Sequence, residues 1–227
     1  MRRRLYLMRH AEVAYFDEQG LPLPPDDVPL TTEGRRQAET AARVLADVRL
    51  DRVLTSGLAR TLETARLTAP DVEPESWPEL RELRAGRLRE IPEDELEEAF
   101  LGCFRGDVSE TTPFLGGETI GSLLDRVLPA LDRLLADGSS DGSSDGSWDT
   151  ALAVLHGGVN RAILSRALSG GRSFFGNLEQ APGCLNILDI GDGDWIVRAV
   201  NTAPCDLAHL AGRSTTMEEL YAQYRRV

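Results

Sequence analysis

Short apolar runs alternate in this chain with longer segments whose apolar residues recur at helical spacing. The clearest run, TALAVL, ends in HGG, and comparable runs are LYLM near the amino terminus and RVLT after residue 51. Amphipathic segments such as TTEGRRQAETAARVL lie between the runs. The stretch CLNILDIGDGDWIVRAVN predicts two further strands joined as a hairpin. This order predicts an α/β fold, a three-layer α/β/α sandwich with a mostly parallel central sheet.

The size and charge of the chain narrow the kinds of partner that it can bind. Its 227 residues, 41% of them hydrophobic, suit one domain of ordinary size. The formal net charge is −12, whereas a protein that binds nucleic-acid phosphates normally presents a basic surface. We therefore expect no nucleic-acid partner. A small anionic substrate fits this charge, because a few arginines can make a positive pocket inside an acidic surface.

Three further patterns concern the compartment, the cysteines and a low-complexity stretch. No apolar run approaches the length of a membrane-spanning helix, and MRRRLYLM has only about half the apolar length of a secretory leader. Cys103, Cys184 and Cys205 match neither a disulfide framework nor a zinc site. We expect a cytoplasmic protein with reduced thiols, no membrane partner and no metal. The Asp-, Gly- and Ser-rich residues 137–149 predict a flexible surface loop; their spacing differs from that of a calcium loop.

Polar side chains follow three of the predicted strands at the point where each strand ends. In such a sheet, ligands bind outside the carboxyl ends of the strands, so these residues are the first candidates for a site. The candidates are Arg9 and His10, then Ser56 and Gly57, then His156 and Gly157. A histidine in such a turn is also explained as a helix cap or a surface residue, but two of the three histidines occupy the same kind of place.

The chemistry of these residues favours a phosphate ligand. Arg60 lies in the first turn of the predicted helix after RVLT, where it can point back toward the same sheet edge as Arg9. Guanidinium groups bind phosphate oxygens in bidentate fashion. Backbone N–H groups at a helix N-terminus, such as that of Gly157, add donors and a favourable dipole. The pattern predicts a phosphate pocket assembled without a metal ion.

Six segments, taken in order, carry a resemblance to a known family. They are LMRHAE, PLTTEGRRQA, TSGLARTLETA, LRELRAGRL, GGETIGSLLDRV and VLHGGVNRAIL. Together they resemble the successive motifs of the histidine phosphatase superfamily, in its phosphoglycerate-mutase-like branch, from Leu5 to about Leu164. The resemblance implies that residues 1–227 form a single histidine phosphatase domain with the phosphoglycerate-mutase-like fold.

The resemblance also implies a role for each matched residue. His10 would be the nucleophile that takes up the phosphoryl group, and Glu82 would protonate the leaving oxygen, with Glu79 as its nearest rival. Water would then hydrolyse phospho-His10 while Glu82 acts as a base. No cofactor is implied. The phosphate oxygens would be bound by Arg9, Arg60, His156 and Gly157.

Two positions depart from the family pattern. Ala11 stands where the first motif usually has glycine, and since alanine is the smallest change we expect a near-normal turn and a slightly tighter pocket. The apolar stretch VAYF replaces a polar stretch that usually touches the phosphate. Tyr15 and Phe16 are expected to present an apolar wall to the substrate instead. The loss of the polar stretch favours a phosphatase over a mutase.

The resemblance leads to one functional prediction and two alternatives. We predict a metal-independent phosphomonoester hydrolase, an acid-type histidine phosphatase that acts through phosphohistidine on a small phosphorylated metabolite. The alternatives are phosphoglycerate mutase-type phosphoryl transfer and a non-catalytic member that binds a phosphorylated ligand. Residues 84–117 would cover the crevice and select the substrate. A homodimer is a further expectation.

Overall fold

Strands and helices alternate along the chain, as the apolar runs predict. The structure, a computed structural model, describes residues 2–17, 19–21, 23–136, 148–210 and 212–226. Its strands are β1 (Arg3–Arg9), β2 (Arg52–Thr55), β3 (Glu75–Ser76), β4 (Thr150–Leu155), β5 (Leu185–Ile190) and β6 (Trp195–Thr202). Its helices are α1 (Thr32–Val44), α2 (Ala59–Thr68), α3 (Leu96–Leu101), α4 (Ile120–Ala136), α5 (Gly157–Ser169) and α6 (Thr216–Tyr224).

The six described strands form one sheet in the order β3-β2-β4-β1-β5-β6. The strands β3, β2, β4 and β1 run parallel, whereas β5 is antiparallel to β1 and β6 is antiparallel to β5. The prediction of a mostly parallel sheet with one late hairpin is therefore confirmed. Because β1, β2 and β4 are parallel neighbours, their carboxyl ends share one edge of the sheet.

The sheet is covered by helices on both faces. On β1, Leu5 and Leu7 pack into the core beneath α4 and α5, while Tyr6 and Met8 pack into the core beneath α1 and α2. A strand covered on both sides needs a continuous apolar run rather than alternation, which explains LYLM. The three-layer prediction is therefore confirmed.

Local signals set several helix ends. The Thr31 hydroxyl accepts a hydrogen bond from the backbone N–H of Gly34 at 2.9 Å and so caps α1. Gly170 ends α5 with a φ of 69°, a conformation that favours glycine. Helix α4 continues through Pro129, where the sequence predicts a kink or a break. None of the described helices is long and apolar enough to cross a membrane.

The segment EDELEEAFLGCFRG differs from the single helix that its sequence predicts. It contains a 3₁₀ turn, the six-residue helix α3 and a second 3₁₀ turn that begins at Gly102. The aromatic side chain of Phe100 in α3 packs against Tyr221 and Tyr224 of α6, with ring centroids 5.4 and 5.6 Å apart. Helix α3 is held by this tertiary packing, which the local sequence pattern does not reveal.

The predicted Asp, Gly and Ser loop lies mostly outside the described residues, which stop at residue 136 and resume at 148. Trp148, near the predicted end of the loop, is buried. Its indole N–H donates to the Leu134 carbonyl at 3.0 Å, and the Arg3 guanidinium carbon lies 4.5 Å from its ring centroid. The hydrophobic core therefore resumes at Trp148, before the predicted end of the loop.

Two of the three cysteines are buried. Cys103 and Cys184 are fully enclosed, and burial raises the pKa of each thiol to about 12. Cys205 is partly exposed, and all three are free thiols. Thiols that hold their protons so strongly behave as small apolar side chains.

Candidate active site

The edge of the sheet at the ends of β1 and β4 brings two histidines together. Arg9 pairs in register with Leu155, and the backbone N–H of His10 donates to the Leu155 carbonyl at 2.8 Å. His10 and His156 therefore leave adjacent strands side by side. Their ring centroids are 5.2 Å apart with planes at 65°, and their exposed fractions are 2% and 0%.

The His10 ring is oriented by its neighbour in the chain. Its Nδ1 lies 2.8 Å from the backbone carbonyl oxygen of Ala11, which can only accept, so Nδ1 carries the proton and Nε2 keeps a free lone pair. Burial, followed by the positive charges of Arg60 and Arg9, lowers the pKa of His10 well below its ordinary value. The imidazole is therefore neutral near pH 7, as a nucleophile requires.

Ala11 fits the turn after β1 without backbone strain. Its φ angle is not positive, and its backbone N–H donates to the Thr64 hydroxyl at 3.1 Å. Its methyl group is buried in a small cluster with Leu30 and Ala38. The near-normal turn expected for alanine at this position agrees with this geometry.

His156 is held through the opposite ring nitrogen. Its Nε2 lies 2.8 Å from the Ser56 hydroxyl oxygen, whereas Nδ1 is buried and has no hydrogen-bond partner among the described residues. Burial lowers the pKa of His156 well below its ordinary value, and the positive charges of Arg60 and Arg9 add to this effect. The site thus contains a neutral imidazole with one buried nitrogen available to a ligand.

Two buried guanidinium groups supply the positive charge of the site. Arg9 donates through Nη1 to the Gln180 carbonyl at 2.5 Å and the Thr216 hydroxyl at 2.8 Å. Arg60 donates through Nη1 to the Pro25 carbonyl at 2.6 Å. Both Nε atoms are buried without a partner, and neither side chain takes part in an ion pair within the described ranges. Buried cations without a counter-charge favour an anionic ligand.

The carboxylate of Glu82 lies at the N-terminus of α5, which begins directly after His156. It accepts the backbone N–H of Gly158 at 3.0 Å and of Leu83 at 2.9 Å. A methyl group built on Gly157 would lie 3.8 Å from both Glu82 Oε2 and Arg9 Nε, so these two groups flank the same glycine. The rival residue, Glu79, instead makes an ion pair with Arg133 at 3.1 Å.

Arg126 of α4 is a residue that the sequence interpretation missed. Its guanidinium donates to the backbone carbonyls of Glu79, Arg81 and Glu82 at 2.7, 2.5 and 3.1 Å. The same group pairs with the nearly buried Glu118 at 2.8 and 2.9 Å. Burial raises the pKa of Glu118, but the hydrogen bonds from Arg126 and the Arg84 backbone, together with the charges of these two arginines, outweigh it and the net shift is downward. Arg126 therefore fixes the segment that carries Glu82.

A cavity of about 1600 Å³ opens beside Arg9 and His10. Tyr15 and Phe16 line it, together with residues from the start of α1 and many residues between 203 and 226. None of residues 84–117, which the resemblance implies as the cover, is among the lining residues. In the described part of the chain, no group of three or more His, Cys, Asp or Glu side chains is placed to hold a metal ion.

Comparison with known proteins gives one family match. The model of the histidine phosphatase superfamily (branch 1) matches residues 5–203. An adenosylcobalamin/alpha-ribazole phosphatase from Salmonella typhimurium is 30% identical over 206 residues, which cover 88% of this chain and 96% of that protein. A probable phosphoglycerate mutase from Salmonella paratyphi A is 34% identical over 134 residues, which cover 56% of this chain and 61% of that protein.

Solved structures show the same fold. A putative alpha-ribazole-5'-P phosphatase from Escherichia coli superimposes with a TM-score of 0.64 at 26% identity, over 88% of this chain and 96% of that one. The protein described as mycobacterial hydrolase 1 superimposes with a TM-score of 0.68 at 24% identity, over 88% of this chain and 99% of that one. The second likeness concerns the fold alone.

Proposed function

The chain belongs to branch 1 of the histidine phosphatase superfamily, and from this premise we propose that it hydrolyses a phosphomonoester through a phosphohistidine on His10. One observation carries the proposal. The neutral His10, whose Nε2 is free, lies beside His156 and near two buried arginines that lack a counter-charge in the described part of the chain. A bound phosphate dianion would supply that charge.

In the first step, the phosphate oxygens bind to Arg9, Arg60 and His156, and His10 Nε2 attacks phosphorus in line with the leaving oxygen. The N–P bond forms as the P–O bond to the leaving group breaks. A proton from the Glu82 carboxyl group passes to that oxygen, so the product leaves as a neutral alcohol. The cationic groups stabilise the charge that spreads over the equatorial oxygens.

In the second step, water attacks the phosphorus of phospho-His10. The Glu82 carboxylate takes a proton from that water, the N–P bond breaks, and orthophosphate leaves with His10 neutral again. The position of Glu82 supports both roles, because its carboxylate lies against the N-terminus of α5 and flanks Gly157, as the Arg9 guanidinium also does.

We favour hydrolysis over the mutase alternative for two reasons. The match to a phosphatase covers 88% of this chain and 96% of that relative, whereas the match to a probable mutase covers 56% of this chain and 61% of that relative. In addition, the cavity beside His10 is lined by Tyr15 and Phe16 rather than by the polar groups of the family pattern. The aromatic side chains of this cavity would pack against a phosphorylated metabolite whose alcohol part carries a ring.

The test compares hydrolysis with isomerisation. We expect the purified protein to hydrolyse p-nitrophenyl phosphate and members of a panel of phosphorylated metabolites, and to carry an acid-labile, alkali-stable label after incubation with a ³²P-labelled substrate. The variant His10→Ala should lose both the turnover and the label. Isomerisation of 3-phosphoglycerate that is faster than any hydrolysis would favour the mutase. Phosphate binding without label or turnover would favour a non-catalytic role.

A further inference from the structure

A chain of two buried hydroxyl groups leads from the second histidine into α2. His156 Nε2 lies 2.8 Å from Ser56 Oγ, and Ser56 Oγ lies 3.1 Å from Thr61 Oγ1. All three side chains are fully buried. At the other end of this hydrogen-bonded series, Thr61 Oγ1 lies 2.8 Å from the carbonyl oxygen of Leu58. The opposite ring nitrogen of His156, Nδ1, has no partner among the described residues.

The hydrogen bonds between His156, Ser56 and Thr61 can run in either of two directions. In the first, His156 Nε2–H donates to Ser56, Ser56 donates to Thr61, and Thr61 donates to the Leu58 carbonyl. In the second, Thr61 donates to Ser56, Ser56 donates to His156 Nε2, and the ring proton lies on Nδ1. Both arrangements contain the same number of protons. Within this hydrogen-bonded series Ser56 donates once and accepts once in each arrangement, whereas Thr61 donates and accepts in the first and only donates in the second.

The second arrangement leaves no backbone group unpaired. The Leu58 carbonyl, which loses the Thr61 hydroxyl, still accepts the backbone N–H groups of Thr61 and Leu62 at 2.9 and 3.0 Å. The two arrangements therefore differ mainly in what His156 presents at Nδ1. The first presents a lone pair, which repels a phosphate oxygen, whereas the second presents an N–H group, which can donate to it.

We infer that Ser56 and Thr61 are positioning residues that allow His156 to adopt the Nδ1–H tautomer and donate that hydrogen to the bound phosphoryl group. The inference rests on the proposed function in one respect, namely that a phosphate binds beside His156. Burial and the neighbouring arginines keep the ring neutral, so one nitrogen or the other carries the single proton. The bound anion selects the arrangement that donates to it.

The direct test is ¹⁵N nuclear magnetic resonance of the histidine rings in the full-length protein, with and without inorganic phosphate. We expect saturating phosphate to give a neutral His156 with its proton on Nδ1. A phosphate-bound His156 with its proton on Nε2 would overturn the inference, as would signals that phosphate leaves unchanged.

Variants separate positioning from a merely structural role. Ser56→Ala should weaken inhibition by orthophosphate about tenfold and leave His156 as a mixture of tautomers, because Nε2 loses its partner. Ser56→Thr, which keeps the hydroxyl, should restore most of the affinity. Thr61→Val removes the group to which Ser56 donates in the first arrangement, so it should populate the Nδ1–H tautomer even without phosphate.

Thr68→Val is the matched control. Thr68 is another buried threonine of α2, but its hydroxyl donates to the Ala38 carbonyl at 3.3 Å rather than toward a histidine. It should change stability without moving the His156 signals. Equal tautomer populations and phosphate affinities in Ser56→Ala and the parent protein would refute the inference. If the enzyme turns over through phospho-His10 while the phosphate-bound His156 carries its proton on Nε2, the inference about Ser56 and Thr61 is refuted. The proposed function is then unaffected.

Discussion

At the scale of the residue, the two histidines differ because their hydrogen-bond partners differ. The Ala11 carbonyl can only accept, so it fixes the proton of His10 on Nδ1. The Ser56 hydroxyl can donate or accept, so it leaves the tautomer of His156 adjustable. A fixed lone pair suits a nucleophile, whereas an adjustable donor suits a group that binds an anion.

The charge of Arg60 is expected to control the protonation of His10. Burial is the larger cause of the lowered His10 pKa, and Arg60 is the next. Arg60→Gln should therefore raise the pKa of His10 only part of the way toward its ordinary value. Because His10 must be neutral to attack, the acidic limb of the profile of kcat/KM against pH should move to higher pH. The loss of a charged donor should also lower kcat/KM about 10- to 100-fold.

Arg66→Gln provides the control for that measurement. Arg66 lies on the same helix, is exposed, and pairs loosely with Glu73 at 3.6 Å. Its removal should leave both the acidic limb and kcat/KM unchanged. A profile that does not move in Arg60→Gln would mean that burial alone sets the protonation of His10.

The sequence predicts several candidate site residues because they lie at the ends of recognisable strands. Arg9, His10 and His156 each lie next to the end of an apolar run, and parallel pairing of β1 with β4 brings those ends together. Arg126 carries no such signal. Its role depends on three backbone carbonyls more than 40 residues away in the chain. In the sequence it is only one polar position of an amphipathic helix.

At the scale of the element, α4 fixes the segment that holds Glu82, the proposed proton donor. Arg126→Gln should loosen the segment around Glu82, so we expect kcat to fall about 10- to 100-fold while inhibition by vanadate changes little. The phosphate-binding groups lie on other elements, which is why affinity is retained. The free energy of unfolding should fall by about 3 kcal/mol, because the nearly buried Glu118 loses its cation.

Arg133→Gln is the matched control on α4. Arg133 makes an exposed ion pair with Glu79 and stacks on Trp77 at 4.1 Å, without touching the backbone near Glu82 in the described contacts. It should lower stability slightly and leave kcat unchanged. Both variants should be measured for kcat and for urea unfolding. If Arg126→Gln and Arg133→Gln lose kcat equally, the loss comes from general destabilisation.

Element boundaries were predictable where a local signal sets them. Thr31 begins α1 and Gly170 ends α5 through capping chemistry that can be recognised from a few neighbouring residues. The limits of α3, which has a 3₁₀ turn on each side, were not predictable, because its aromatic contacts come from α6, more than 100 residues later. Trp148 is a similar case, since its partners belong to β1 and α4.

At the scale of the whole molecule, the site joins the two ends of the chain. The Arg9 guanidinium at the end of β1 binds the hydroxyl of Thr216 in the first turn of α6. Residues between 203 and 226 form much of the cavity wall, and α6 is held in place through α3. Substrate selection should therefore depend on the C-terminal segment as well as on the residues that follow β1.

Amide hydrogen exchange with and without orthophosphate tests this arrangement. A bound anion links groups from distant elements, so it should slow exchange together in peptides that cover residues 9–17, 56–61, 156–160 and 203–210. Peptides from residues 84–117 should exchange at the same rate in both conditions, because none of those residues lines the cavity or belongs to the proposed phosphate-binding groups. In His156→Ala, which removes one phosphate donor, the protection should be weaker in all four regions at once. Protection concentrated in residues 84–117 would instead support the covering role that the family resemblance implies for this segment.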